Sequence, residues 1–116
     1  MENQTSQKLD RIFYALSSPA RREMVHLVAR RAQTVSELAE PFSMSLAAVS
    51  KHVKVLEEAG IFRGTVEGRT HTCSVNSEAL SLATGWLHFY ERLWSDQFDA
   101  LERALGEWGP GGGKET

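Results

Sequence analysis

Apolar residues recur at helical spacing in several separate stretches of the chain. The first stretch contains Leu9, Ile12, Phe13 and Leu16. Their i, i+3, i+4, i+7 spacing predicts a helix over about residues 5–17. A second helix is predicted over about residues 19–31, because Ser18 can act as its N-cap and Pro19 suits the first helical position.

A short helix and a longer amphipathic helix are predicted next. The segment TVSELAEPF has Thr34 or Ser36 as a candidate cap, and Pro41 limits this helix to two turns. In the following helix Ser45 is the candidate N-cap, and Gly60 stands where a helix ends through a left-handed residue. The predicted buried stripe of this fourth helix consists of Leu46, Val49, Val53 and Leu56.

The opposite face of the fourth helix is small, polar and positively charged. It carries no acidic residue before Glu57, whereas a solvated helix face usually mixes both charges. A short helix, a turn and a second helix of this kind predict a helix-turn-helix, whose second helix enters the major groove of DNA. Two packed helices without DNA binding are the alternative. The face and its flanks contain Ala47, Ala48, Ser50, Lys51, His52, Lys54 and Val55.

Strand-forming residues follow on both sides of the sequence Glu67-Gly68-Arg69. The glycine suits a tight turn, so a two-stranded hairpin is predicted here. A hairpin directly after a helix-turn-helix is the wing of a winged helix, and Arg69 falls at its tip. An arginine there suits the negative potential of a narrow minor groove, although an ordinary solvated turn charge is the alternative.

The last predicted helix has an apolar face about 180° wide, which exceeds the stripe that a surface helix needs for one core. A second copy of the chain, related by a twofold axis, would supply another surface. Gln97 lies on the same face and would need a polar partner, such as its symmetry mate. A pocket for an apolar inducer is the alternative for this cluster. The predicted dimer interface consists of Ile12, Phe13, Trp86, Tyr90, Leu93, Trp94, Gln97 and Leu101.

The net charge of the chain is −2, but the charges are distributed unevenly along it. A negative total argues against a nucleic-acid partner. However, residues 20–72 hold eight Lys/Arg and six Asp/Glu, whereas residues 77–108 hold two and six. Because exposed charges more than about 10 Å apart are largely screened at physiological salt, a basic middle can attract phosphate while an acidic last helix stays away from it.

The remaining composition excludes several classes of protein. No apolar run approaches the roughly 20 residues of a membrane helix, and the polar N-terminus is unlike a secretory signal, so a cytoplasmic protein without a membrane partner is predicted. A single cysteine, Cys73, cannot form an internal disulfide. It is interpreted as a small packed residue, with a redox switch as the alternative.

No segment has the pattern of a catalytic or cofactor site. The glycine-rich stretch at residues 109–113 follows the last helix instead of linking a strand to a helix, so it is no phosphate loop. Residues 106–116 are predicted to be a flexible tail. His26 and His71 are interpreted as structural or solvated, and His52 as a phosphate or base contact. We predict no catalytic residue, no cofactor and no metal site.

The stretches ALSSPARREMVHLV and TVSELAEPFSMSLAAVSKHVKVLEEAGIF, with the EGR hairpin, resemble the ArsR family of bacterial winged-helix transcriptional regulators. The resemblance implies a winged helix domain over about residues 8–105, with dimerisation helices at both ends and a flexible N-terminus at residues 1–7. It also implies a homodimer that binds a pseudo-palindromic operator in double-stranded DNA and represses transcription in the nucleoid. The residues implied at the DNA are Ser45, Ala47, Ala48, Ser50, Lys51, His52, Lys54 and, in the wing, Arg69.

One departure from the family concerns metal sensing. Metal-sensing members carry paired cysteines in the third helix, where this chain has Thr34 and Ser36. The other family layout uses the last helix, where His88 has only Glu91 as a neighbouring ligand. Release from DNA is therefore expected to follow an unknown signal, such as a small-molecule inducer. A protein-binding winged helix and a metal-responsive repressor are the alternative functions.

Overall fold

A computed structural model describes residues 4–106, in which five helices accompany one three-stranded antiparallel sheet. The prediction of a mainly helical winged helix-turn-helix is confirmed. Residues 1–3 and 107–116, including most of the predicted flexible segments, lie outside the described residues. In chain order the elements are α1 Gln4–Ala15, α2 Pro19–Arg30, β1 Gln33–Thr34, α3 Val35–Ala39, α4 Leu46–Glu58, β2 Phe62–Glu67, β3 Thr70–Val75 and α5 Ser77–Gly106.

The chain divides into two compact units, Met1–Ala83 and Thr84–Thr116, and α5 contributes to both. The first unit, called the winged unit below, contains the helix-turn-helix and the sheet. The first helix begins at Gln4, close to the start predicted at about residue 5. Across residues 4–106, no helix combines the length and the hydropathy that a membrane span requires.

Side-chain caps fix where the helices of the winged unit begin. Ser18 caps α2, with Pro19 at the first helical position, as predicted. Thr34, not Ser36, caps α3: its hydroxyl oxygen accepts a hydrogen bond from the Glu37 amide at 3.1 Å, while the Glu37 carboxylate accepts from the Thr34 amide at 3.0 Å. This reciprocal pair satisfies two amides that a helix start would otherwise leave without partners.

One hydrophobic core lies in the winged unit. The stripe of α4 was predicted to include Leu46, but this side chain is 53% exposed. Leu46 is the first residue of its helix, and because helical side chains lean toward the N-terminus, it points beyond the core. The core consists of Ile12, Ala15, Met24, Val28, Val35, Leu38, Val49, Val53, Leu56, Ile61, Phe62, Cys73 and Ala83.

The sheet has the order β1-β3-β2 and is one strand larger than the predicted hairpin. The hairpin turns at Gly68 and Arg69, and Gly68 has a φ of +61°, which fits a two-residue turn with glycine in its first central position. The additional strand, β1, is two residues long and pairs Gln33 with Cys73 and Thr34 with Thr72. Two residues are too few to show the alternation of apolar and polar residues from which a strand is predicted.

Candidate nucleic-acid interface

The recognition helix, α4, turns its small and basic residues away from the core. Val49, Val53 and Leu56 are at most 1% exposed and fix the rotation of the helix about its axis. Side chains on the other side must therefore face outward, as the sequence predicted. Of the candidate DNA contacts on this helix, the structure leaves Ser45, Ala47, Ser50, Lys51 and Lys54 exposed and Ala48 and His52 partly exposed.

The N-terminus of α4 is exposed together with these residues. The Ser45 hydroxyl oxygen accepts a hydrogen bond from the Ala48 amide at 3.1 Å, which caps the helix. The hydroxyl hydrogen of Ser45 still has no role in that bond and can be donated to a phosphate oxygen. The positive end of the helix dipole favours an anion at the same place.

The wing tip and the recognition helix line one cleft. Arg69 and Thr70 of the wing line it together with Leu46 and Ser50 of α4, around a volume of about 310 Å³. Leu46 therefore belongs to this exposed surface and not to the core. The fold thus brings Arg69, predicted at a hairpin tip, beside the residues predicted to face the major groove.

A buried arginine that the sequence analysis did not single out holds His52 in place. Arg21 is 8% exposed, and its guanidinium donates hydrogen bonds to the Ala15 carbonyl at 2.7 Å and to the Tyr14 carbonyl at 3.2 Å. It also lies 3.1 Å from Nδ1 of His52. Because arginine can only donate, Nδ1 accepts, and the ring proton sits on Nε2, away from Arg21. Arg21 thereby orients His52 from α2.

The sequence contained a signal for this role. Arg21 precedes Met24 and Val28 at helical spacing, so it lies on the apolar stripe of α2. A charged side chain at such a position needs hydrogen-bond acceptors within the core, since burial of a charge without them lowers the stability of the fold. The partners themselves, two carbonyls at the end of α1 and a ring on α4, could not be identified without the tertiary structure.

Comparison with known proteins identifies the family. A family model described as a helix-turn-helix domain matches residues 16–65. The transcriptional repressor SdpR of Bacillus subtilis is 27% identical over 79 residues, which cover 68% of this chain and 88% of SdpR. The crystal structure of an ArsR family transcriptional regulator is 38% identical with a TM-score of 0.73, over 77% of this chain and 92% of that one. The chain belongs to the ArsR family.

Membership of the ArsR family makes this chain a transcriptional regulator with a DNA-binding helix-turn-helix, and not an enzyme. The fold is also that of the homodimeric winged helix-turn-helix DNA-binding domain from Mycobacterium bovis, solved in solution. That domain is 21% identical, with a TM-score of 0.60, over 75% of this chain and 82% of that chain.

The second unit of this ArsR family protein is a stretch of α5 with exposed aromatic residues. The ring centroids of Trp86 and Tyr90 are 4.5 Å apart, and those of Trp94 and Phe98 are 5.5 Å apart. Most side chains predicted at the dimer interface are exposed here. They are Trp86 at 42%, Tyr90 at 45%, Leu93 at 43%, Trp94 at 62% and Leu101 at 52%, with Gln97 also exposed.

The two interface candidates on α1 differ from each other. Phe13 is partly exposed. Ile12 is 1% exposed because it packs in the core of the winged unit. It has almost no surface for a second copy to cover, so the interface role predicted for Ile12 is withdrawn.

The second wing strand contains His71, interpreted as structural or solvated, and Cys73, interpreted as a small packed residue. His71 is not simply solvated, since its Nε2 lies 2.7 Å from Oε2 of Glu57. Cys73 is fully buried, and burial together with the Glu57 carboxylate raises the pKa of its thiol to about 11. A protonated thiol is a poor nucleophile, which favours the interpretation of Cys73 as a packed residue over a redox switch.

Proposed function

We propose that this ArsR family protein is a homodimeric repressor that binds a pseudo-palindromic operator in double-stranded DNA. In this proposal α4 enters the major groove with Ala47, Ala48, Ser50, Lys51 and His52. Lys54 contacts a phosphate, and Arg69 reaches the adjacent minor groove. The repressing direction is supported by the likeness to SdpR, which is named a transcriptional repressor.

The observation that carries the proposal is the shared cleft of wing and recognition helix. Arg69 and Ser50 line the same cleft of about 310 Å³, so one DNA duplex can touch both. Lys51 and Lys54 add exposed positive charge on α4, and no acidic side chain lies on this helix before Glu57. A surface with these properties can approach the phosphate backbone without like-charge repulsion.

The homodimer is supported by the exposed face of α5. Monomeric proteins rarely leave a continuous apolar patch of this kind in water. The structural neighbour from Mycobacterium bovis is described as homodimeric. We propose that Trp86, Tyr90, Leu93, Trp94 and Leu101 meet their counterparts in a second copy and that Gln97 pairs with its symmetry mate. Phe13 stays a further candidate for the interface.

The inducing signal and the place of action complete the proposal. A small-molecule inducer stays a prediction from the sequence, and a pocket for an apolar inducer remains the alternative to the dimer interface for the aromatic face of α5. Because the proposed partner is chromosomal DNA, the proposed location is the nucleoid in the bacterial cytoplasm.

Fluorescence anisotropy with a labelled duplex from the promoter of the gene itself tests DNA binding. Lys51→Ala and Arg69→Ala should each weaken binding and lower the slope of log K against log salt by about one, because each removes one positive charge that displaces counterions from the DNA. Arg103→Ala is the matched control, since it removes the same charge from exposed α5. It should leave both quantities unchanged.

Two results would overturn this assignment. One is an unchanged affinity and salt slope in both Lys51→Ala and Arg69→Ala. The other is salt-insensitive capture of a protein partner without any shift of DNA, which would support a protein-binding winged helix instead.

A further inference from the structure

The fold brings together three side chains of metal-ligating types that are distant in sequence. Glu57 lies near the end of α4, whereas His71 and Cys73 lie on β3. A carboxylate oxygen, an imidazole nitrogen and a sulfur atom from these residues all lie within 4.8 Å of one another. Among residues 4–106, no second group of three ligating residues lies so close.

The strand places two of the three ligands. His71 and Cys73 are two positions apart, so they share one face of β3. Gly64 of β2 is directly opposite Cys73, and directly paired residues share a face of the sheet. Glu57 approaches this face from α4, and its Oε2 lies 2.7 Å from Nε2 of His71.

Gly64 leaves the space in which the carboxylate and the imidazole meet. A Cβ at this position would overlap Oε2 of Glu57 and would stand 2.8 Å from Nε2 of His71. The backbone of Gly64 is not left-handed, so the glycine matters here for the room that it leaves to the two side-chain ends and not for its conformational freedom. An alanine at position 64 would therefore suit the strand but fill the site.

The distances suit a small tetrahedral ion after slight side-chain rotation. Bonds of about 2.0–2.3 Å to oxygen, nitrogen and sulfur place tetrahedral zinc ligands about 3.3–3.6 Å from one another. The present separations run from 2.7 Å for Glu57 and His71 up to 4.8 Å for the whole group, which brackets that range. The Glu57 and His71 side chains are 26% and 36% exposed, so they can adjust, and an ion can enter from solvent.

We propose that Glu57, His71 and Cys73 bind Zn²⁺ and thereby join α4 to the wing. Carboxylate, imidazole and thiolate are the ligands that zinc accepts, and water from the exposed side would complete the tetrahedron. On binding, the sulfur releases its proton to solvent and forms the zinc–sulfur bond. The dication then balances the thiolate and the carboxylate. Lys54 lines the adjoining cavity of about 290 Å³, but its exposed side chain can direct its ammonium to water.

Titration of the full chain with Co²⁺, a spectroscopic substitute for zinc, tests the proposal without DNA. The wild-type protein should bind one equivalent per chain and develop a thiolate-to-cobalt charge-transfer band, which Zn²⁺ then abolishes. Competition with a chromophoric chelator gives the zinc affinity. Cys73→Ser should remove the band and lower the zinc affinity by at least about 100-fold, since loss of even an outer-shell partner costs up to that much.

Two further variants separate a lost site from a lost fold. Gly64→Ala keeps all three ligands and should retain the native circular dichroism spectrum while its zinc affinity falls at least about tenfold. His88→Ala is the matched control, because Nδ1 of His88 lies 3.5 Å from Oε1 of Glu91 and His88 belongs to no group of three ligating residues within residues 4–106. It should bind zinc as the wild type does. Absence of the band in the wild type, undiminished zinc affinity in Gly64→Ala and Cys73→Ser, or lost affinity in His88→Ala would each overturn the proposal.

Discussion

Two helices of this protein are comparably amphipathic, yet they use their apolar faces in opposite ways. In α4 the stripe of Val49, Val53 and Leu56 is at most 1% exposed, because α1, α2, α3 and the sheet contribute to the same core. In the part of α5 after Ala83, side chains as large as Trp94 and Phe98 are more than half exposed. An apolar face thus predicts that a helix will be covered, but it does not say whether the same chain covers it.

The largest expected difference compares a leucine from each helix. Leu56→Ala should lower the free energy of unfolding by about 2–5 kcal/mol at every protein concentration, because it leaves a cavity in the core. Leu101→Ala should destabilise the protein only at concentrations where a dimer forms. Urea denaturation at several protein concentrations measures both effects. A loss in Leu101→Ala that does not depend on concentration would contradict the contrast between the helices.

A charge on the exposed face of α5 should break the proposed dimer. Trp94→Glu is expected to weaken self-association by about 2–4 kcal/mol, since a central aromatic residue is lost and a carboxylate must lose water at the interface. Analytical ultracentrifugation measures the dissociation constant. Ser95→Glu adds the same charge on the polar arc of α5, where no effect is expected. If both substitutions weaken self-association equally, the interface is not confined to the apolar face of α5.

The burial of Cys73 in the core can be tested by measuring the free energy of unfolding of metal-free, reduced protein as a function of pH. Because the pKa of Cys73 is raised from 9.0 to about 11, the unfolded chain loses this proton at a lower pH than the folded chain. The free energy of unfolding should therefore fall between about pH 9 and pH 11, by at most about 2–3 kcal/mol. In Cys73→Ala this fall in the free energy of unfolding should be missing. If the free energies of unfolding of the two proteins differ by the same amount from pH 8 to pH 11, Cys73 does not cause the fall.

The smallest expected effect concerns the cap of α3. Thr34→Ala removes the hydroxyl oxygen that accepts from the Glu37 amide, while the residue-34 amide can still donate to the Glu37 carboxylate, and the change should cost about 1 kcal/mol of stability. Ser36→Ala is the control, because Ser36 was the other candidate cap and is exposed. Thermal unfolding should separate the two variants, and equal midpoints would argue against the assigned cap.

Local rules explain the parts of the fold that were predictable. Ser18, Ser45 and Gly60 were assigned from cap preferences alone, and Gly68 from turn chemistry, since these depend on a few neighbouring residues. The direction in which Lys51 faces followed from the buried stripe opposite it.

Contacts between distant residues explain what was missed. The Arg21–His52 hydrogen bond joins residues 31 positions apart, and the Glu57–His71 bond joins residues 14 apart. A single sequence does not contain these distances. Leu46 was misplaced for another reason, because helical periodicity gives the face of a residue but not whether the core extends that far along the axis.

The short strand β1 also has a consequence for the order of folding. The hairpin of β2 and β3 closes over the two turn residues, whereas pairing of Gln33 with Cys73 closes a loop of about 40 residues at a higher entropic cost. The helices and the hairpin should therefore form before β1 docks. During that interval the outer edge of β3 is unpaired and open to another chain. Two residues then cover the central part of that edge, so rapid docking of Gln33 and Thr34 limits the time in which chains can misassemble.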